Sequence, residues 1–317
     1  ANDGGFIYYR KYEQIKKPMP IAIVVGVDPL CNVAAIAPFR IGESEVDFAG
    51  GFRREPVPLV KCETSDILVP ANAEIVVEGE MLPGVAIPHN PFGEFAGYMA
   101  PPGDYPACRV KAITFRKDPV FTVAHPGTPV YDGSICSCMT LAISHKRHLK
   151  EHGVPVIDVH VPAEGGQHLM IVSVKGQRSF TAAQIQLASA SNPMWQQKVM
   201  VMEDDVDIFN LSDVLFHFAT RCNPVRGIRV EKDVYGSRLT PNLSMEEKKH
   251  TRGSSVLFDC TWPVEWDRER DVPRIANFDK RYTRDLKEKV LKNWKSYGFK
   301  QEIPESYNVS LEEEKQA

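Results

Sequence analysis

The chain lacks several features that mark common protein classes. No apolar run reaches about 18 residues, so no transmembrane helix is expected. Neither charge sign dominates, because 38 Lys and Arg stand against 41 Asp and Glu. With a pI near 6.3, this balance argues against nucleic-acid or membrane-surface binding. The seven cysteines include no CxxC pair, which predicts reduced thiols in a cytoplasmic protein.

Motifs of several large enzyme classes are also missing. There is no GxxxxGK[ST] or GxGxxG sequence, which weakens nucleoside-triphosphate and dinucleotide binding. The HExxH motif of zinc hydrolases and the GxSxG elbow of serine hydrolases are absent as well. The chain begins Ala-Asn-Asp-Gly-Gly, without an initiator Met or a signal peptide. We therefore expect the C-terminal part of a longer polypeptide.

What is present indicates a mixed fold. A helix is predicted from Phe6 to Lys17, where proline follows, and a buried strand from Ile21 to Val25. Further strand-length segments cover residues 73–80, 109–116 and 120–124. A helix is predicted over 135–152, and beyond it strands and helices alternate, which is typical of an α/β layer.

One segment, Pro88–Tyr98, has the residues expected of a catalytic loop. It places a carboxylate, Glu94, between Gly93 and Gly97. Three aromatic residues flank the carboxylate, namely Phe92, Phe95 and Tyr98. Burial beside apolar rings would favour the protonated carboxyl near neutral pH, which is what a general acid requires. The alternative is an ordinary proline- and glycine-rich turn with a solvated Glu.

The run from Asn90 to Tyr98, NPFGEFAGY, resembles the active-site glutamate segment of the UbiD family of reversible decarboxylases, which use prenylated FMN. The segments Thr220–Pro224 and Asp285–Phe299 resemble the ferulic acid decarboxylase branch, and the hydroxybenzoate and protocatechuate decarboxylases are also similar. The resemblance covers nearly all of the chain. It implies a carboxy-lyase acting on an aromatic, heteroaromatic or α,β-unsaturated carboxylic acid.

The resemblance also implies an α+β architecture in two domains. Residues 1–130 would form a split antiparallel β-barrel that binds prenylated FMN, with the N-terminal part of that domain missing. Residues 131–317 would form an α/β C-terminal dimerisation domain. In the family, a terminal helix corresponding to 284–297 reaches a neighbouring subunit, so a homodimer or higher oligomer is expected.

By the same resemblance, Glu94 is the proton donor. His89 stands where the ferulic acid branch has a further glutamate, and a neutral imidazole can still transfer a proton near pH 7. The implied substrate-contacting residues are Ile135, Ser237, Arg238 and Leu239. Ser237 replaces a bulky aromatic residue of that branch, and Arg238 would offer a cation to a carboxylate or polar group, although an arginine at such a place is more often a surface residue.

Metal and cofactor positions are implied too. Glu45 would hold a divalent ion, Mn²⁺ or Mg²⁺, that bridges the flavin phosphate, and without the resemblance it would be taken as a surface acid. Glu45 would also line a neighbouring K⁺ site, with backbone carbonyls of Ala34, Ala35 and Ala37, the main-chain oxygen of Arg221 and the carboxylate of Asp259 near the K⁺. The implied cofactor contacts are Glu45, Ala34, Ala35, Ala37 and Pro38. Oxygen ligands suit such hard cations. Asp204, Asp205 and Asp207 could be metal ligands, or could cap the following helix.

Part of the implied site is not in this chain. The family's catalytic arginine, an asparagine ligand and a metal-binding histidine lie upstream of the first residue or at it, and Arg10 does not match that arginine. We therefore expect the N-terminal portion of the family chain to complete the site, and a flavin prenyltransferase to supply the cofactor. The alternative is a non-catalytic subunit or assembly fragment whose chemistry needs another polypeptide.

Overall fold

The computed structural model describes residues 4–40, 42–175, 181–190 and 197–303. The chain divides into two compact units, Ala1–Thr261 and Trp262–Ala317. In the described ranges, no helix combines the length and the apolar character needed to cross a membrane. The predicted domain boundary at residue 130 stays a prediction.

The first unit begins with three short helices and a strand. Its elements up to residue 53 are α1 (Gly4–Gln14), β1 (Met19–Val25), α2 (Pro29–Ile36) and α3 (Glu45–Arg53). Helix α2 starts because the Asp28 carboxylate accepts the Leu30 N–H at 2.9 Å. Helix α3 starts in the same way, with the Ser44 hydroxyl accepting the Asp47 N–H at 3.1 Å.

Three antiparallel strands form the first sheet, in the order β1-β4-β5. Strand β4 (Ile75–His89) pairs with β5 (Gly103–Phe115) along most of its length, so the two make a long hairpin. A separate small hairpin consists of β2 (Leu59–Lys61) and β3 (Leu68–Pro70). The described residues therefore show a three-stranded antiparallel sheet and no closed barrel.

Two predictions for this region are wrong. The segment 120–124 is not a strand, because the Val120 N–H is bound by the Glu74 carboxylate at 3.1 Å instead of joining a ladder. Strand β1 is not fully buried, since it lies at the edge of the three-stranded sheet and the Ile23 side chain is 51% exposed. Apolar composition alone does not show which sheet face is covered.

The second sheet carries the main hydrophobic core and confirms the predicted α/β layer. Its order is β6-β7-β8-β10-β9, in which β7, β8 and β10 are parallel and the outer strands are antiparallel to their neighbours. The strands are β6 (Val156–His160), β7 (Leu169–Val174), β8 (Lys198–Glu203), β9 (Ile228–Tyr235) and β10 (Arg252–Asp259). The helices are α4 (Asp132–Glu151), α5 (Thr181–Ala190), α6 (Leu211–Arg221) and α7 (Met245–His250).

The core of this layer packs side chains of α4 and α5 against the sheet. Leu149 of α4, Met170 of β7 and Ile185 of α5 are all fully buried in one cluster. Their burial follows the expected pattern of parallel strands, which are covered by helices and read as near-continuous apolar runs. This part of the first unit is consequently the rigid platform for the loops at the sheet's ends.

In the described part of the second unit, residues 262–303, there are two helices, α8 (Phe278–Arg281) and α9 (Arg284–Lys292). Helix α9 begins where the predicted helix 284–297 begins but ends five residues earlier. The chain turns after Lys292 because the Asn293 side chain binds the Lys289 carbonyl at 2.8 Å and the Trp294 ring stacks on Phe299 at 4.2 Å. Side-chain bonding to the backbone thus replaces the last helical turn.

A buried carboxylate ties the small hairpin to the long one. Glu78 of β4 is only 2% exposed, and it accepts the Glu63 N–H at 2.8 Å, the Thr64 N–H at 2.7 Å and the Thr64 hydroxyl at 2.6 Å. The hydrogen bond from the Thr64 side chain is the main cause that lowers the pKa of Glu78 below its ordinary value of 4.5. The charged form is therefore favoured in the folded state.

We predict that Glu78→Gln lowers the thermal midpoint most at neutral pH. A carboxylate with a depressed pKa stabilises the fold above its ordinary pKa of 4.5, and this contribution disappears as the pH falls through the lower folded-state pKa. The gap between wild type and Glu78→Gln should therefore narrow below that pH. Scanning calorimetry from pH 7 to pH 3 measures it, and a gap that stays constant across the range would contradict the assignment.

Candidate functional site

The turn that carries Glu94 lies at the tip of the β4–β5 hairpin. Its backbone is closed by hydrogen bonds from the Glu94 N–H to the Tyr98 carbonyl and from the Gly97 N–H to the Glu94 carbonyl, both 3.0 Å, and from the Ala100 N–H to the Phe92 carbonyl at 2.8 Å. Gly97 has φ +81°, in the left-handed region that glycine tolerates best. The turn is thus a defined structure rather than an open loop.

Glycines let this turn approach the segment 126–129 closely. A Cβ at Gly93 would lie 2.8 Å from the Pro126 carbonyl oxygen, and one at Gly97 would lie 3.1 Å from Cδ of Pro129 and 3.3 Å from Cα of Thr128. Neither site has room for a side chain without displacement of the backbone opposite. The two glycines that frame Glu94 therefore fix the turn against the neighbouring segment.

Glu94 itself is partly buried, and its surroundings differ from the predicted apolar cover. Phe92 and Tyr98 are exposed, at 43% and 65%, so only Phe95 of the three aromatic residues faces inward. The Phe95 ring lies 6.3 Å from the ring of His168, which precedes β7.

Tyr131, just before α4, is a neighbour of Glu94 that has no motif of its own. Burial raises the pKa of the Tyr131 phenol, and the negative charge of Glu94 is the next cause. A nearby neutral phenol is a possible hydrogen-bond donor to the Glu94 carboxylate. Sequence spacing gave no signal for it, because 37 residues separate the two positions.

His89 and Arg238 meet at the same end of the hairpin. His89 closes β4 and pairs with Gly103, and its ring lies 5.0 Å from the Phe92 ring and 5.1 Å from the Tyr105 ring. A Cβ at Gly103 would lie 3.8 Å from the Arg238 guanidinium. The structure therefore brings one candidate substrate residue to the strand pair that carries a candidate catalytic residue.

The remaining candidate substrate residues lie on two elements. Ser237 and Leu239 belong to the same turn as Arg238, in which the Ser237 hydroxyl accepts the Leu239 N–H at 3.2 Å and its carbonyl accepts the Thr240 N–H at 3.0 Å. Ile135 lies in the first turn of α4 and is 54% exposed. The structure therefore places Ile135 and the Arg238 turn on separate elements of the first unit.

The candidate cation ligands fall on two parts of the first unit. Helices α2 and α3 pack together, and Glu45 is the first residue of α3. The Ala34 carbonyl accepts the Ala37 N–H at 3.1 Å, and the Ala37 carbonyl accepts the Phe39 N–H at 3.0 Å. A carbonyl has a second lone pair, so these oxygens can still bind a cation. Ala35 and Pro38 belong to the same segment.

Arg221 and Asp259 end α6 and β10. The Asp259 carboxylate accepts the Thr261 N–H at 3.1 Å and its hydroxyl at 2.6 Å. The Arg221 guanidinium is used structurally, since it forms two hydrogen bonds to the Asp205 carboxylate at 2.8 and 2.6 Å. Within the ranges that the structure describes, no three His, Cys, Asp or Glu residues gather into a metal-binding group.

The interpretation of the acids after β8 as caps of α6 is wrong, whereas their interpretation as metal ligands stays a prediction. Asp205 pairs with Arg221, and the Asp207 carboxylate accepts the Phe209 N–H at 3.0 Å. Helix α6 is capped by Asn210, which accepts the Ser212 N–H at 3.1 Å. The acids thus shape the connection before the helix, and the asparagine three residues beyond Asp207 is its cap.

Two histidines with HxxxH spacing lie next to each other, namely His148 in the last turn of α4 and His152, which follows the helix. The rings lie 4.2 Å apart between centroids. His148 Nε2 contacts the Ala188 carbonyl at 2.9 Å and His152 Nδ1 contacts the His148 carbonyl at 2.8 Å. Each ring thus has one nitrogen engaged with a backbone carbonyl, which suits a role in anchoring α5 to α4.

We predict that Gly97→Ala lowers stability by about 1–3 kcal/mol, because a left-handed φ and a close contact both oppose a Cβ. Gly127→Ala is the matched control, since a Cβ there meets nothing within 4 Å. The thermal midpoint should fall by several degrees for Gly97→Ala and stay within about 1 °C for the control. Equal midpoints for both variants would contradict the proposed constraint.

We also predict that Asp205→Ala costs about 2–4 kcal/mol, since it leaves the nearly buried Arg221 guanidinium without its carboxylate. Asp204→Ala, at the adjacent exposed position, should change stability by less than about 0.5 kcal/mol. Thermal unfolding of the two variants side by side measures the difference. A mild effect at Asp205 would show that the pair contributes little.

The family models match both parts of the first unit. Residues 1–129 match the UbiD model, described as 3-octaprenyl-4-hydroxybenzoate carboxy-lyase Rift-related domain, and residues 136–260 match the C-terminal domain of the same carboxy-lyase. Ferulic acid decarboxylase 1 of Saccharomyces cerevisiae is 30% identical over 295 residues, covering 89% of this chain and 58% of that protein.

Two solved structures are similar over most of the chain. HmfF of Pelotomaculum thermopropionicum, a UbiD-class enzyme in complex with FMN, has a TM-score of 0.76 and 29% identity, covering 87% of this chain and 61% of its own. Vanillic acid decarboxylase of Sedimentibacter hydroxybenzoicus in its closed form has a TM-score of 0.77 and 27% identity, covering 91% and 60%. The chain spans about three fifths of the length of these relatives, and it belongs to the UbiD family.

Proposed function

We propose that this chain is part of a reversible, non-oxidative decarboxylase of aromatic, heteroaromatic or α,β-unsaturated carboxylic acids that works with prenylated FMN. The observation that carries the proposal is the hairpin tip, where the glycine-framed Glu94 turn, His89 and Arg238 lie on one hairpin end. The bound FMN in HmfF and the carboxylic acid named for the vanillic acid decarboxylase support the cofactor and substrate class.

For the fold, we propose that β1, β4 and β5 belong to a split barrel completed by the part of the family chain that this chain does not cover. The α/β layer would serve oligomerisation, as a homodimer or larger assembly. The dimeric form described for HmfF supports an oligomer. A cytoplasmic location and supply of the cofactor by a flavin prenyltransferase belong to the same proposal.

The residues near α3 fit a phosphate only with a cation in between. Glu45 and Asp47 both lie in the first turn of α3, where their negative charges oppose the attraction of a helix N-terminus for a phosphate. A divalent ion, Mn²⁺ or Mg²⁺, bound by Glu45 would bridge the Glu45 carboxylate and the flavin phosphate. Further ligands must come from outside the described residues, which gather no metal-binding group of three.

A K⁺ ion would need only oxygen ligands. The carbonyls of Ala34, Ala35 and Ala37 could supply part of such a shell, beside Pro38 at the flavin. Arg221 and Asp259 end α6 and β10, so their place in the same K⁺ shell rests on the family resemblance alone. Metal removal should therefore affect flavin retention rather than the Glu94 turn.

The chemistry of the site can be divided between the cofactor and the protein. When bound, prenylated FMN supplies the electron sink for loss of CO₂ from the acid. Arg238 would orient the substrate carboxylate by a charge-assisted hydrogen bond, with Ser237, Leu239 and Ile135 shaping the space around the substrate. Glu94 then delivers its proton to the carbon that has lost CO₂.

His89 and Tyr131 would assist Glu94 from either side. His89, at the hairpin end, would relay the proton through its ring nitrogens, and the partly buried Tyr131 phenol can hydrogen-bond to the Glu94 carboxylate. In the reverse direction, Glu94 would accept the proton while CO₂ adds to the same carbon. High bicarbonate is therefore expected to drive carboxylation.

We predict that Glu94→Gln keeps the flavin and loses turnover by roughly 100-fold or more, because general acid catalysis typically contributes that much. Asp104→Asn, an equally conservative change near the same hairpin end, should stay within about twofold. The assay is CO₂ release from a panel of aromatic and cinnamic-type acids, with the full-length protein co-expressed with a flavin prenyltransferase. Unchanged turnover of Glu94→Gln would refute its role as donor.

A non-catalytic subunit is the second candidate, and the partial coverage of the relatives favours it. Visible absorption separates the two functions. A flavin spectrum in the protein alone, or after mixing with the remaining part of the family chain, supports the decarboxylase. A colourless protein in both samples supports the non-catalytic subunit.

A further inference from the structure

Gln197, immediately before β8, has a buried side chain with no use for its polar atoms. It is 8% exposed, and neither Oε1 nor Nε2 has a hydrogen-bond partner among the residues that the structure describes. A glutamine amide can form up to four hydrogen bonds, and leaving a buried amide unpaired is costly. Such a group requires an explanation, and a ligand that pairs with it is one.

A second such atom lies on the neighbouring strand. His168 Nε2 is buried and has no hydrogen-bond partner within the described ranges. The Leu169 and Lys198 Cα atoms are partners in the parallel β7–β8 register, and the Lys198 N–H donates to the His168 carbonyl at 3.3 Å. His168 and Gln197 immediately precede this first pair of the ladder. If the register is continued by one residue, they are neighbours on the same side of the sheet.

The contacts of His168 lead to the Glu94 turn, and those of Gln197 lead toward the Arg238 turn. On one side, the His168 ring packs beside the Phe95 ring. On the other, a Cβ at Gly253 would lie 3.3 Å from Gln197 Nε2 and 3.1 Å from Cδ2 of Leu243. Leu243 also lies against Gly236, which begins the turn that carries Arg238.

The pair is suited to an uncharged group. Burial lowers the pKa of His168, with the charge of Lys198 as a second cause, so the imidazole is neutral at physiological pH. A neutral amide and a neutral imidazole offer both donors and an acceptor but no charge to balance a carboxylate. That charge is offered by Arg238 instead. A hydroxyl, which donates and accepts, matches the pair.

We propose that Gln197 and His168 form a specificity subsite that hydrogen-bonds a hydroxyl on the ring of the acid substrate. The proposal rests on the proposed function, because it assigns to the same site the end of the substrate remote from its carboxylate. It makes both residues determinants of substrate choice rather than of the proton transfer itself. In the free protein, the buried polar atoms of Gln197 and His168 have no hydrogen-bond partner in the described part of the chain, which lowers the stability of the fold in exchange for substrate recognition.

The first test is stability, which does not depend on activity. Gln197→Leu removes an unpaired amide from a buried position, so the thermal midpoint of the full-length protein should rise by about 2–4 °C. The matched control is Gln184→Leu on α5, because Oε1 of Gln184 is also buried without a hydrogen-bond partner among the described residues. The thermal midpoint of this control should likewise not fall. A clear drop for Gln197→Leu would mean that the amide is structurally paired and would overturn the proposal.

The second test is selectivity, measured with benzoate and its three monohydroxy isomers on the flavin-loaded protein. Gln197→Leu should lower the ratio of kcat/KM for the best hydroxylated acid to kcat/KM for benzoate by roughly tenfold or more. His168→Phe keeps the ring against Phe95 and should do the same. Gln184→Leu should leave the ratio of kcat/KM for the hydroxylated acid to kcat/KM for benzoate at its wild-type value. An equal loss on hydroxylated and unsubstituted acids would overturn the subsite.

Calorimetric binding of the same four acids separates this proposal from the proposed function. If wild type releases no CO₂ from any acid, the decarboxylase assignment fails, and the subsite is judged by binding alone. A preference for a hydroxylated acid in wild type that disappears in Gln197→Leu supports it. Equal affinity of wild type for benzoate and all three hydroxybenzoates, or no binding of any of them, overturns it.

Discussion

The close approach of two backbone segments is the constraint on which the candidate site depends. Gly93 and Gly97 place the Glu94 turn against residues 126–129 at distances that exclude a Cβ. The same turn also approaches the loop before β7, where a Cβ at Gly166 would lie 3.4 Å from the Ala96 carbonyl oxygen. Backbone on two sides therefore restricts the position of the turn that carries Glu94.

A second set of contacts holds the α2–α3 connection, which carries the candidate cation ligands, to α4. Arg147 binds Glu43 at 3.0 Å and Glu151 at 3.4 Å, and Arg40 pairs with Glu151. Isolated exposed ion pairs contribute little, typically about 0–1 kcal/mol each. Four residues that share their charges in one network restrict the orientation of the connection more than any single pair would.

Much of this architecture could be predicted from local patterns, and the exceptions have identifiable causes. Apolar runs bounded by turns predicted β4, β6, β7 and β8, and the α4 helix was recognised from its period. Strand β9 and strand β10 were not predicted, because mixed polar residues such as Lys232 and Ser254 interrupt their apolar pattern. The strand expected at 120–124 failed because a distant carboxylate, Glu74, binds its backbone.

For the site, sequence resemblance selected Glu94, His89 and Arg238, and the structure gives them a common hairpin end. It could not select Tyr131, His168 or Gln197, since none belongs to a motif and each acquires its place only through tertiary contacts. A sequence does not show which buried polar atoms lack a hydrogen-bond partner. Most buried polar groups are hydrogen-bonded, so that is what we would expect of any buried glutamine. The polar complement of the site is therefore a product of the fold.

The site also lies across a boundary in the chain. The two family models meet between residues 129 and 136, yet the unit Ala1–Thr261 is compact across that junction. Glu94 comes from the first part, whereas His168 and Arg238 come from loops at the ends of strands in the second. Sites built at such a junction are assembled only when both parts are folded and packed, because no contact within either part alone brings these side chains together. A change in the packing of residues 126–129 would therefore be transmitted to the direction of Glu94 before it affected the sheet that carries His168.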